Sequence, residues 1–133
     1  PSSYATGALF SVNIKTQDAR ISGTLASLCG LEKAIRSGNH AEQQTAIQRI
    51  VMMQAHTMLT GGIPMLFYGD EVGYTNDYTF LHDTAKSYDN RWMHRPLIDW
   101  NKNAMRSKEG TVEHALFTQT KKMIQLRKQL PAL

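Results

Sequence analysis

Between Asp70 and Pro96 the chain gathers groups that could do acid–base, metal or sugar-ring chemistry: Asp70, Glu71, His82, Asp83, Asp89, Arg91, Trp92, His94 and Arg95. Asp70 and Glu71 are adjacent, so at the end of a strand they would point to opposite sides. A retaining carboxylate pair must instead converge on one bond, and the expected role of the two is structural, with Glu71 and Tyr68 shaping a pocket. His82, Asp83 and Asp89 lie at spacings of one and six, which match no recognised ligand pattern; hydrogen bonding within the loop is the expectation. His94 and Arg95 precede Pro96 and read as loop-organising residues, and Trp92 reads as buried under the loop, with stacking on a sugar ring as the competing role. Taken as residue types alone, Arg20 and Arg91 are surface arginines. No Cys/His spacing suits zinc, and no oxygen-rich cage suits calcium, which stays open as a cofactor.

These residues need elements to position them. The chain has 133 residues, 41% hydrophobic and 20% charged, a balance expected of a globular domain. No apolar run approaches the length of a membrane span, and no membrane role is expected. The single cysteine, Cys29, excludes an internal disulfide and reads as a small buried hydrophobe. Net charge is +4, with Lys102, Arg106, Lys108, Lys121, Lys122, Arg127 and Lys128 gathered late. Four of them suit the wet face and C-terminal end of a helix, so a nucleic-acid partner is not expected.

Along the chain, 1–16 reads as loop. Ile21, Leu25, Leu28 and Leu31 fall near helical spacing and predict a helix over Asp18–Ile35, with Gly23 and Gly30 marking close packing or an end. Asn39 is an N-cap for a helix over Ala41–Leu59. Its apolar side is Ala46, Ile47, Ile50, Val51, Met58 and Leu59, and Thr60-Gly61-Gly62 ends it. His56 and the methionines at 52, 53, 58 and 65 read as packing residues. Ile63–Tyr68 is apolar on both faces, as a covered parallel strand is. A helix follows from Thr111, with Val112, Leu116, Met123, Ile124, Leu126 and Leu130 inward and Pro131 as its stop. One strand buried on both faces cannot satisfy its own N–H and C=O groups. The expected fold is therefore an α-rich fragment of a (β/α)8 barrel: three main helices, one barrel strand and a long active-site loop, in an incomplete barrel.

Four stretches carry a resemblance. "GGIPMLFYGDE" resembles the eighth barrel strand of the α-amylase superfamily, glycoside hydrolase family 13, and "MIQLRKQLPAL" resembles the end of the helix after it. "DARISGTLASLCGL" and "YGDEVGYTND…HDTAKSYDNRWMHRP" are similar to the amylosucrases and related sucrose hydrolases within that family. The resemblance implies that residues 1–38 belong to an insertion between barrel strand 7 and helix 7. Residues 39–133 would then hold helix 7, strand 8, its loop and helix 8. It implies a parent enzyme acting on sucrose or α-glucans by the retaining mechanism, in which one carboxylate attacks the anomeric carbon and a second acid protonates the leaving oxygen.

The family's nucleophile, acid/base and third carboxylate have no counterpart in this chain, so no catalytic residue is assigned and the isolated chain is expected to be inactive. Two substrate-binding residues carry over. Arg91, in NRW, matches the arginine paired with an aspartate at the closed end of the sugar pocket. Arg20, in ARISGT, matches an arginine lining the neighbouring subsite. The carboxylate partners are expected outside this chain. Polymer synthesis and sucrose hydrolysis stay unseparated, as does the cellular location. The alternative, from another class, is a stand-alone helical binding module that self-associates through its lone strand, since an unpaired strand is a template for another.

Overall fold

The structure, a computed structural model, describes residues 3–130. Its largest elements are two long helices packed on each other, α3 (His40–Leu59) and α5 (Val112–Gln129). Both begin where side chains can satisfy the free N–H groups of a first turn. Asn39 accepts from the Glu42 N–H at 3.1 Å, and Thr111 accepts from the His114 N–H at 3.1 Å.

Two short helices, α1 (Leu25–Leu28) and α2 (Leu31–Arg36), pack on α3. Together these elements bury Leu31, Ala46, Ile47, Ile50 and Leu116, with Cys29 at the margin. Each fully buried Leu or Ile contributes roughly 1.5–3 kcal/mol. The expected packing role holds for Met58 but not for Met52, Met53, Met65 or His56, which are exposed. The stop at Pro131 lies outside the described residues.

The helix expected over Asp18–Ile35 is three elements instead. Arg20–Ser22 is a strand, β2, paired antiparallel with β1 (Ala8–Phe10) in the register Ala8↔Ser22, Leu9↔Ile21, Phe10↔Arg20. Thr24 then caps α1, its hydroxyl accepting from the Ser27 N–H. Gly30, at φ +96°, separates α1 from α2 with a left-handed turn that a side chain would strain. β1 falls in a stretch read as loop.

The barrel fragment expected from the sequence is not what forms. Ile63–Phe67 is irregular and belongs to no ladder, and the only sheet among the described residues is the two-stranded antiparallel ribbon β1–β2. Ile63 is 94% exposed and Met65 81%, whereas a barrel strand buries both faces. The α-rich character stands, with more helices than the three expected. The physical reason is that a ladder belongs to a pair: apolar composition prepares a segment for burial, but no described strand lies beside this one to bond it.

The long connection from Gly61 to Asp99 is not structureless. Three tight 3₁₀ turns punctuate it, Asp70–Val72, Thr79–His82 and Asn90–His94. Asp99 then caps α4 (Trp100–Ala104), accepting from the N–H groups of Asn101 and Lys102.

Candidate functional site: a two-arginine patch beside a polar core

Arg91 stands on the 3₁₀ turn Asn90–His94, and Asp89 builds that turn. One Asp89 oxygen accepts from the Arg91 backbone N–H at 2.9 Å. The same carboxylate grips the guanidinium in two-pronged fashion, with Nε at 2.9 and 3.0 Å and Nη2 at 2.8 Å. Those bonds hold the Asp89 carboxyl down at about 2. The carboxylate partner of Arg91 was expected outside the chain; the structure shows one inside it, Asp89. Asp89 engages Nε and one Nη2 proton, which leaves three guanidinium N–H groups uncommitted to it, on a side chain that is half exposed.

The turn docks on the β-ribbon. Asn90 Nδ2 donates to the Leu9 carbonyl at 2.7 Å, and the Arg91 guanidinium carbon lies 5.7 Å from the centre of the Phe10 ring. Phe10 is directly opposite Arg20, and opposed residues of an antiparallel pair share a face. The structure therefore puts Arg20, 71 positions before Arg91 in sequence, on the same exposed ribbon face as Phe10, the ring that Arg91 approaches.

The other expected site residues separate into local roles. Asp83 pairs with Lys86 at 3.0 Å and accepts from the Ala85 N–H, which lowers its pKa. His82 ends its own turn, exposed. No group of three or more His, Cys, Asp or Glu able to hold a metal occurs among the described residues. Asp70 and Glu71 occupy a 3₁₀ turn rather than a strand end. Glu71 accepts from the Gly69 N–H at 2.8 Å, a turn-closing role. Burial, reinforced by the Glu71 charge, raises Asp70 to about 6. Cys29 is buried, and desolvation raises its thiol.

Trp92 is half-buried with two cations over its ring, Lys86 and Arg95, each 5.2 Å from the centroid. It lines an open, mainly apolar cleft of about 510 Å³ with Phe67, Tyr68, Pro96 and Leu97. The Tyr68 hydroxyl, donating to the Pro96 carbonyl at 3.0 Å, closes one side. His94 meets the Phe67 ring edge-on at 6.0 Å, and burial lowers its pKa.

Among the late cations, Lys121, Lys122 and Lys128 do lie on a solvated face. Arg127 does not: it donates to the Met58, Thr60 and Gly62 carbonyls and so closes the C-terminal end of α3. Lys102 pairs with Glu113 at 2.6 Å.

Sequence reading missed the buried polar core beneath the loop. Asn76 accepts from the Thr24 N–H at 2.8 Å and donates to the Thr6 carbonyl at 3.0 Å. The Ser27 hydroxyl accepts from the Asn76 N–H at 2.9 Å and donates to Glu32 at 2.6 Å. Tyr78 donates to the other Glu32 oxygen at 2.9 Å, and Arg36 neutralises the carboxylate from the surface. This network fixes the loop to the N-terminal segment that carries Arg20. A second buried pair, Thr120 donating to Gln54 at 2.8 Å, joins α5 to α3.

No protein-family model matches the chain.

Proposed function

We propose that the chain is part of an amylosucrase-like glycoside hydrolase or glucosyltransferase that acts on sucrose or α-glucans with retention. Its contribution to that enzyme is sugar binding, through Arg91 and Arg20. The observation that carries this reading is that Arg20 shares a ribbon face with Phe10, the ring beside which Arg91 lies. The resemblance assigns one of them to the closed end of a sugar pocket and the other to the adjacent subsite, so the two must be neighbours.

Guanidinium groups suit the task. Their planar fork of donors bonds vicinal hydroxyls or a carboxylate. Asp89 fixes the direction of the Arg91 fork before any ligand arrives, which lowers the ordering cost of binding. The three remaining N–H groups can donate to a second carboxylate from elsewhere in the parent, and such a pair would close the pocket to all but one sugar unit. Retaining chemistry needs two carboxyl groups about 5–5.5 Å apart across the scissile bond. Asp70 and Glu71 are spent on a turn, and Asp83 and Asp89 on ion pairs. On this reading the nucleophile and acid/base belong to the parent, and the 133-residue chain alone is inactive.

The test is turnover of sucrose by the intact natural gene product. Release of fructose at an enzymatic rate by the parent, and none by this chain, is the expected outcome. Release by this chain alone would overturn the assignment of residues.

A further inference from the structure

Ile63–Phe67 carries unused backbone chemistry as well as apolar side chains. The N–H groups of Ile63, Met65 and Leu66 bond no described residue, and Pro64 has none to offer. The Phe67 carbonyl is committed, accepting from the Asp70 N–H at 3.2 Å. Side chains alternate as on a strand. Pro64 and Leu66 line a groove with Met58, Ile124 and Leu130, while Ile63 and Met65 point outward.

In an extended chain, alternate residues present their N–H and C=O groups to the same edge. One edge therefore holds Ile63 and Met65 with both groups free, and the other holds Pro64, which lacks a donor. We propose that the Ile63–Met65 edge is a self-pairing site, at which two copies of this chain join as an antiparallel ribbon around a twofold axis at Pro64. In this register Ile63 faces Met65 of the second copy and Met65 faces its Ile63. Both are hydrogen-bonded positions, so four N–H groups find four carbonyls. Pro64 faces Pro64 at a non-hydrogen-bonded position, where its missing donor costs nothing. A shift by one residue would place the prolines where donors are required, and a shift toward Phe67 would meet a carbonyl already spent on Asp70.

The occupant must be extended backbone, because free peptide groups need peptide partners, and a second copy supplies them in a self-complementary register. The surface is also large enough. Ile63, Met65, Phe67, Tyr68, Leu97 and Ile98 are all at least 42% exposed. Together they offer on the order of 800 Å², about what each partner buries in a standard interface. This pairing is independent of the sugar-enzyme reading, whose test is turnover rather than assembly.

The experiment is light scattering on the 133-residue chain, with circular dichroism to confirm the fold of each variant. The expected wild-type mass is that of two chains. Met65→Pro deletes one donor per copy from an exposed position, hence two hydrogen bonds per pair, and should weaken pairing about 30-fold. Pro64→Cys should cross-link under mild oxidation. Its Cα separation across the axis would be roughly 4.5 Å, within disulfide range, and Cys29 is buried away from oxidant. Ile63→Cys should stay uncross-linked, since its symmetry mate lies roughly 8 Å away. A monomeric wild type would overturn the proposal. So would assembly insensitive to Met65→Pro, or cross-linking of Ile63→Cys as readily as Pro64→Cys.

Discussion

Asp89 holds Arg91 by both oxygens while also capping the turn on which Arg91 stands. One carboxylate thus fixes both the backbone and the guanidinium direction of the same residue. Both groups are near the surface, where solvent screens the charges, so the pair contributes little to folding. Its consequence is directional. Asp89→Asn should leave thermal unfolding of the chain within a few degrees of wild type. In the parent enzyme it should raise the KM for sucrose more than it lowers kcat, measured by fructose release. A large loss of stability with unchanged KM would mean that the pair is only structural.

The same pair sets an acid limit. Asp89 is depressed to about 2 in the folded chain, so its contribution is present above the ordinary carboxylate range and lost as pH falls through about 2. Backbone and side-chain NMR of the Asn90–His94 turn should show the Arg91 Nε–H protected down to about pH 3. Loss of that signal near pH 4 would show that the fork is not held.

Asp70 has the opposite sign. Burial raises it to about 6, so the folded state binds its proton more tightly than the unfolded chain does. The resulting stabilisation is complete below about pH 4 and is lost as pH rises through about 6. Asp70→Asn should therefore flatten the pH dependence of unfolding between pH 4 and 7. At pH 7 it should raise stability by on the order of 1–2 kcal/mol, the shift being discounted for partial exposure. Denaturant melts across that range test it; an Asp70→Asn variant with the wild-type slope would contradict the assignment.

Ser27→Ala removes the hydroxyl between Asn76 and Glu32. It leaves one buried N–H and one carboxylate oxygen short of a partner, at a cost of about 2–4 kcal/mol. Urea denaturation checks the magnitude. Hydrogen exchange should report early opening of the segment around Asn76, because that network ties the loop to the N-terminal ribbon.

Gly73 is in a left-handed turn at φ +69°, and a Cβ there would come within 2.7 Å of the Leu116 side chain. Gly73→Ala therefore combines backbone strain with a clash against a fully buried residue. A loss of about 2–3 kcal/mol in a thermal or denaturant melt is expected.

What the sequence discloses differs between elements for physical reasons. α3 and α5 were legible because their signals are local: caps at Asn39 and Thr111, and apolar residues at helical spacing between. Helix α4 carried a local signal that went unread, since Asp99 is a good cap directly before Trp100. Arg20–Ser22 misled because Ile21 continues the helical spacing of Leu25, Leu28 and Leu31, whereas its pairing with β1 is set across a connection. Ile63–Tyr68 misled because apolar composition reports readiness for burial, not the presence of a partner strand. The Thr24–Ser27–Glu32–Asn76 network was invisible because its members lie up to 52 residues apart. For the candidate site, Arg20 and Arg91 were named from motif resemblance. Phe10 beside Arg91 and opposite Arg20, and Asp89 as an internal partner, emerge only when the ribbon and the loop are seen together.

The most direct test is sucrose turnover by the intact natural gene product and by its Arg91→Ala variant. The account predicts fructose release by the wild type at an enzymatic rate. It predicts a fall of about 100-fold or more in kcat/KM for the variant, equivalent to roughly 2.7 kcal/mol of lost transition-state binding, with folding preserved. A natural product that leaves sucrose and α-glucans untouched, or an Arg91→Ala enzyme with wild-type kinetics, would contradict it.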